Sequence, residues 1–519
     1  MSDESSVARA GRWIDRNWRE MIQAKRSGLI ALAVFSFAVL LMQAYRPFTQ
    51  SEGGDEAIWD YIAQCILRGQ LPYRDVVEIK GPGSAYISAA GIAIGRLFGV
   101  KDVLAIRGVE VLLVGLLSAV IFLIAEAFLR NRTAALLASA IPLMSDHFCE
   151  WMAGGTQSKL SMILFGMLSL LLIAKNRPFW AGFCSMLSCT CWQPGLLFTG
   201  VCVLFFSRCL TRWNDWKAAK VLLGAAVPLG LLAIYFYARG GFGDLRRWTI
   251  VFNYSVYAPR TSRSLIEAID HLWKVMLRIF GWDLIIVFAS IAGAMVFVLR
   301  QKRSRSDQTR ARSDDERAQR LAVITLLLPP IIYLIFCLVN FQAGPDLIPF
   351  FPFIAIFFGA FVAVLSERLK GGEWLARAAL VAVACTALGR GALYRPYSGP
   401  SVQTQMANAG EMARLLKPGD RIYVHGAAEI LVLLDVPNAS PYLFFDWGKD
   451  EFIAASRGLS FDSVIREIDG LKPKIVVLTR LQKVQHRAEL EGWAGENYET
   501  IDLPGYKGAF LRKDHSSGR

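Results

Sequence analysis

The 519-residue chain is short of charge, short of histidine and without the loops that hold soluble nucleotides. Asp, Glu, Lys and Arg make up 19% of it against 54% hydrophobic residues, a balance that excludes a disordered chain or an ordinary soluble protein. No glycine-rich phosphate loop follows a strand, no dinucleotide fingerprint is present, and no outward Asp-x-Asp is placed to hold a metal-bound nucleotide. The five histidines are scattered, and His147 and His425, both expected outside the membrane, form no metal motif. Of the nine cysteines most fall in or beside apolar runs. Cys189-Thr190-Cys191 has no His-rich partner stretch and reads as small buried hydrophobes rather than a redox site.

What is present is a series of apolar runs. A hydrocarbon core of about 30 Å needs roughly 20 apolar residues per helix, and this measure predicts a polytopic α-helical membrane protein with about eleven transmembrane helices. They are read at Gly28–Tyr45, Val103–Leu129, Thr133–Met144, Ser158–Ala174, Phe179–Cys191, Gly195–Phe206, Ala218–Tyr237, Met276–Leu299, Leu321–Val339, Leu347–Leu365 and Leu375–Leu388. The net charge of +14 would suggest nucleic acid in a soluble protein. Here the basic residues gather at alternate membrane ends, which accounts for them by orientation and leaves no nucleic-acid partner. With the N-terminus inside, the cytoplasmic connections receive Arg130 and Arg132, Lys175 and Arg177, Arg208 and Arg212, the run Arg300–Arg320, and Arg368 with Lys370.

Three regions follow. Residues 1–27 form a cytoplasmic segment, and 28–390 a membrane domain with outer loops 46–102 and 239–275. Residues 391–519 form a small extracytoplasmic α/β domain. In that last region Glu411–Leu416 and Phe461–Leu471 read as helices, each leading through a Lys-Pro turn to a strand, Arg421–Val424 and Lys474–Thr479. It could bind a glycan or protein acceptor, or serve as a lid or scaffold. The apolar, Gly-rich stretch Gly83–Phe98 is too short to span and reads as a helix at the interface.

The first outer loop concentrates chemistry. Gly54-Asp55-Glu56, Pro72-Tyr73-Arg74-Asp75 and Lys80-Gly81-Pro82 crowd carboxylates, a guanidinium and an ammonium between two apolar spans, which makes this loop the default active-site candidate. Other outward cations are Arg107, near the outer end of the second span, and Arg260 in the second large loop. For Arg74 an ion pair with Asp75 stands as the alternative to ligand contact, and for Arg107 a pair with Glu110 one turn away. Lys159 either supplies charge or anchors a helix end, and Asp346 either holds a sugar hydroxyl or caps the next span. Trp59, Tyr73, Tyr86, Trp248, Tyr254 and Tyr257 are outward aromatics, suited to an interfacial belt or to sugar contact.

With no nucleotide motif, a reaction outside the cytoplasm has to use an activated substrate that reaches that face, and a lipid phosphate does so. Gly54-Asp55-Glu56-Ala57, Tyr61-Ile62-Ala63, Leu67-Arg68-Gly69, Pro72-Tyr73-Arg74-Asp75, Lys80, Pro82 and Tyr86 together resemble the first outer loop of family 39 type glycosyltransferases. These membrane enzymes have the C-type glycosyltransferase fold and include protein O-mannosyltransferases and the aminoarabinose transferases of lipid A. The likeness continues more weakly through Arg107 and the middle helices to Leu347–Phe353.

The resemblance implies a polyprenyl-phosphate sugar donor, a lipid, glycan or protein acceptor, and Asp55 as general base. It also implies a bacterial inner (plasma) membrane location with the active site on the periplasmic or extracytoplasmic face. Glu56, about 100° round a helix from Asp55, is left to bind a divalent metal, orient the base or stay solvated. Two departures stand out. Gln157 occupies the outer start of the fourth span, where many relatives carry an acid, and Trp192-Gln193-Pro194 stands where a basic residue is common. A transporter or flippase, or a non-catalytic subunit of a polysaccharide machine, are the competing classes, although no internal repeat supports transport.

Overall fold

The computed structural model describes residues 25–207, 216–303, 313–396 and 399–513. Nearly all of the 1–27 segment, together with Arg208 and Arg212 and much of the Arg300–Arg320 run, therefore lies outside the described residues. Among the described residues six helices are long and apolar enough to cross a membrane: Lys25–Tyr45, Asp102–Leu129, Lys217–Ala238, Leu265–Leu299, Gly344–Arg368 and Gly372–Leu393. A seventh crossing is available if Asp146–Ala153 and Ser158–Ala174, bent by 109°, act as one broken span.

The expected count of about eleven is thus not reproduced by length and composition. The apolar stretches are helical, but several are short. Pro178–Cys191 has 14 residues, which at 1.5 Å per residue reach about 21 Å, less than the hydrocarbon core. The innermost helices are Gly344–Arg368 and Asp102–Leu129, whose apolar windows are 78% and 61% buried, while Lys25–Tyr45 and Gly372–Leu393 are only 28% and 22% buried and present most of their surface outward. Asp102–Leu129 therefore forms a fixed post, and Arg107 is near its outer end.

Outside the bundle, Gly83–Leu97 is a helix, as its composition predicts, and packs beside Glu56–Leu67. The C-terminal region carries a four-stranded sheet of β1 (Ile422–His425), β2 (Ile475–Leu478), β3 (Tyr498–Leu503) and β4 (Tyr506–Arg512) in the order β1-β2-β4-β3. β1 and β2 are parallel, with Ile422 opposite Ile475, and β4 runs antiparallel to both β2 and β3. The parallel strands β1 and β2 are buried on both faces, consistent with their mainly apolar sequences Ile-Tyr-Val-His and Ile-Val-Val-Leu.

This sheet is not a separate ball. One apolar cluster joins Ile58, Trp59, Tyr61 and Ile62 of the first outer loop to Val402, Ile422, Val424 and Ile430. Another joins Leu71, Tyr73, Trp248 and Phe252 to Tyr423, Phe445 and Phe461. Both outer loops and the C-terminal region thereby form one body over the membrane helices.

Candidate active site

The loop before Asp55 is pinned by buried groups. Arg107 is fully buried and donates to the carbonyls of Pro47, Gln50, Ser51 and Gly154 and to Glu52 Oε2 at 2.9 Å. Its partner is therefore Glu52 and loop backbone, neither a phosphate nor Glu110. Gly54 has φ of +69°, a left-handed conformation that glycine adopts without strain.

Asp55 opens the helix Glu56–Leu67 with helical dihedrals, and its side chain takes no capping hydrogen bond. The carboxylate is instead free to face a cavity of about 550 Å³. Lys80 Nζ lies 3.4 Å from Asp55 Oδ2 and 4.2 Å above the Trp59 ring. Enclosure in the cavity works against ionisation of Asp55, but the Lys80 ammonium, helped by Lys159, outweighs it and holds the acid below its ordinary value. Lys80 is itself lowered by burial and by the nearby Lys159 charge.

The Pro72-Tyr73-Arg74-Asp75 turn delivers Lys80 to this place. Arg74 grips Asp75 with two bonds of 2.9 Å and donates to the Arg239 carbonyl, while the buried Tyr73 hydroxyl donates to the Lys80 carbonyl at 2.6 Å. Neither lines the cavity. Gln193 Nε2 and Asn253 Nδ2 both donate to the Ile79 carbonyl, at 2.7 and 2.8 Å, and so fix the residue before Lys80. Asn253 belongs to a π-helical stretch, Arg247–Tyr257, that also brings Tyr254 and Tyr257 to the cavity wall.

In the same cavity Lys159 Nζ pairs with Asp346 Oδ1 at 3.1 Å and lies 5.2 Å from the Trp192 ring centre. Asp346 Oδ2 accepts the Gln342 and Ala343 backbone N–H groups, so this acid both caps its helix and lines the cavity. Gln157 lines the wall too and donates to Glu56 Oε1 at 3.2 Å. Burial, then the adjoining Asp55 charge, push Glu56 up to about 7. Arg260 stays at the rim, paired with Glu451 of the C-terminal region.

The fold therefore brings Asp55, Glu56, Lys80, Lys159 and Asp346 to one cavity, and leaves Tyr73, Arg74, Arg107 and Arg260 around it. Sequence reading missed Asn253, Glu52 and Asp60. Asp60 carried a usable signal, since it follows Glu56 by one helical turn.

A divalent metal in this cavity would have to be held by these same donors. Among the described residues no three His, Cys, Asp or Glu side chains stand together as a metal site. In the cavity Asp55 and Asp346 each face an ammonium and Glu56 faces an amide, a set that suits cations already in the chain rather than a divalent ion.

No protein-family model and no curated protein sequence matches the chain. Solved structures do. Crystal structures of ArnT, the aminoarabinose transferase, from Cupriavidus metallidurans, bound to undecaprenyl phosphate and in the apo state, each superpose with a TM-score of 0.59 at 13% and 14% identity, over 95% of this chain and 98% of theirs. The Archaeoglobus fulgidus oligosaccharyltransferase, solved in complex with Zn and sulfate, gives a TM-score of 0.52 at 12% identity over 92% of this chain and 73% of its own. The chain has the C-type glycosyltransferase fold. Such identity carries the architecture, and with the apolar helices it makes this an integral membrane protein of that fold.

Proposed function

We propose that the protein is an inverting glycosyltransferase that moves a sugar from a polyprenyl-phosphate donor to an acceptor hydroxyl at the outer face of the membrane. The observation that carries this reading is the placement of Asp55 and Lys80 3.4 Å apart in one cavity that Lys159 also lines. An acid able to take a proton and two ammonium groups able to hold a leaving phosphate are the parts such a transfer needs. The undecaprenyl phosphate bound by ArnT, a protein of the same fold, supports a lipid phosphate as the leaving group.

In this reading the donor phosphate takes up Lys80 and Lys159. Asp55, released from Lys80, accepts the proton of the acceptor hydroxyl. The acceptor oxygen bonds to the anomeric carbon as the bond to the phosphate oxygen breaks from the opposite side, and the phosphate leaves with the electron pair against the two ammonium groups. Trp192, Tyr254 and Tyr257 offer flat apolar faces to the sugar. The C-terminal region roofs the acceptor side.

The test is transfer by purified protein from polyprenyl-phosphate sugars to membrane acceptors. Asp55→Asn is expected to keep donor binding and to lower transfer about 100- to 10,000-fold. Transfer that survives the substitution removes Asp55 from the base role, and substrate flux in vesicles without transfer replaces the reading by transport.

A further inference from the structure

Behind Asp55 and Glu56 lies a knot of buried charge that takes no direct part in the transfer. Glu52, Asp60 and Arg107 are 2%, 0% and 0% exposed. Each acid has one oxygen held by a fixed donor: Glu52 Oε2 by Arg107 Nη2 at 2.9 Å, and Asp60 Oδ1 by the Thr156 backbone N–H at 3.0 Å. Among the described residues the remaining oxygens, Glu52 Oε1 and Asp60 Oδ2, have no donor. Arg107 also bonds the Gly154 carbonyl, next to the Gly155 and Thr156 backbone that packs on Asp60, so the two carboxyl groups are close neighbours and act directly on each other.

Two buried carboxylates at that range repel strongly, as paired acids do wherever they share a site. One proton between the two orphaned oxygens satisfies both, and leaves a single negative charge for Arg107. Burial, followed by the charge of Asp60, pushes Glu52 well above the ordinary carboxylate range, and burial raises Asp60 as well. Glu110, whose two oxygens also lack donors, and Glu56 are the other acids facing this pair.

The pair is placed to hold the acid-bearing segment from several sides. Arg107 fastens the loop from the membrane side through the Pro47, Gln50 and Ser51 carbonyls. From the C-terminal region Gln405 accepts the Glu52 N–H at 2.6 Å and donates to the Glu52 carbonyl at 2.8 Å. Asp60 holds Thr156, next to the Gln157 that binds Glu56, and Gly155 packs so tightly that a Cβ there would lie 2.8 Å from Asp60 Oδ2.

We infer that Glu52 and Asp60 hold one proton between them and, with Arg107, act as positioning residues for the segment that carries Asp55 and Glu56. The inference rests on the transfer reading only in naming Asp55 as the base, and the shared proton is tested without substrate. The experiment is infrared spectroscopy of the full chain in detergent at pH 8, following protonated-carboxyl bands that shift in D2O.

Asp60→Asn and Glu52→Gln each place an amide N–H where the proton was and keep one carboxylate in the cluster. Each is expected to fold and to lose the same single band. The double variant should lose no further band, yet leave Arg107 without a counter-charge and unfold at a lower temperature than the two single losses add up to. Two bands lost additively, or no band sensitive to either substitution, overturn the shared proton. For positioning, both amide variants should retain undecaprenyl phosphate binding and Glu52→Ala should lose it. Retention by a folded Glu52→Ala overturns that part. If the proton is shared while no sugar transfer is found with any donor, the inference stands and the transfer reading falls.

Discussion

Lys80 Nζ stands 3.4 Å from Asp55 Oδ2 and 4.2 Å from the centre of the Trp59 ring, so one ammonium both neutralises an acid and rests on an aromatic face. A ligand that competes for the ammonium changes the surroundings of both.

The first prediction concerns that competition. Undecaprenyl phosphate is expected to draw Lys80 from Trp59 and change the indole emission, and the change should vanish in Trp59→Phe. Lys80→Ala should weaken binding by about 1.5–3 kcal/mol, the range of a hydrogen bond to a charged group, or roughly ten- to a hundredfold in Kd. Arg74→Ala should leave Kd near wild type, because Arg74 spends its donors on Asp75 and the Arg239 carbonyl.

Glu56 supplies a pH dependence. Burial and Asp55 push it up to about 7, so it is neutral below that pH and charged above it. A new negative charge in the cavity opposes an incoming phosphate. Binding of undecaprenyl phosphate, measured by calorimetry, should therefore weaken as pH rises through about 7, and Glu56→Gln should remove that inflection.

Arg107→Ala tests the buried clamp. Five acceptors lose their donor and the Glu52–Asp60 pair is left with an uncompensated charge, a change that costs about 3–5 kcal/mol in buried ion pairs. A steep drop in the thermal midpoint is expected. Arg260→Ala, which breaks a half-exposed pair with Glu451, should cost no more than about 1 kcal/mol of stability and leave the midpoint nearly unmoved.

His425 at the end of β1 predicts acid sensitivity of the roof. Its Nδ1 is 2.9 Å from the Thr479 carbonyl and its Nε2 accepts the Phe445 N–H at 2.9 Å, a pattern that requires the neutral ring. Burial pushes its pKa down to about 4 from 6.5. As pH falls the unfolded chain takes the proton first, so stability present above 6.5 is lost between 6.5 and about 4, by roughly 3 kcal/mol in total. Denaturation across that window should show the loss, and His425→Gln should flatten it.

The sequence made the helical membrane class, the outer helix at Gly83 and the parallel strands β1 and β2 legible, because apolar runs and Lys-Pro turns are local signals. It did not reveal β3 and β4, whose burial alternates irregularly. Nor did it resolve the crossing count, since a short apolar helix packed in a bundle and a short span read alike. Of the basic residues expected to face outward, Lys80 and Lys159 reach the cavity, whereas Arg74 and Arg107 turn to backbone carbonyls. A carbonyl acceptor has no letter of its own, so that division is written in the fold alone.

The shared core of the outer helix and the C-terminal sheet sets an order of manufacture. Tyr61 receives its Asn438 partner from a segment 377 residues later in the chain. At about 5–20 residues per second of synthesis, the aromatic face of the first loop waits roughly 20–75 s for its cover. Arg107 and Glu52, only 55 residues apart, can meet within seconds of leaving the ribosome. That pair can thus form early on a nascent chain whose Gln405 and Asn438 are still unwritten, and a chain released before residue 438 leaves the aromatic face bare.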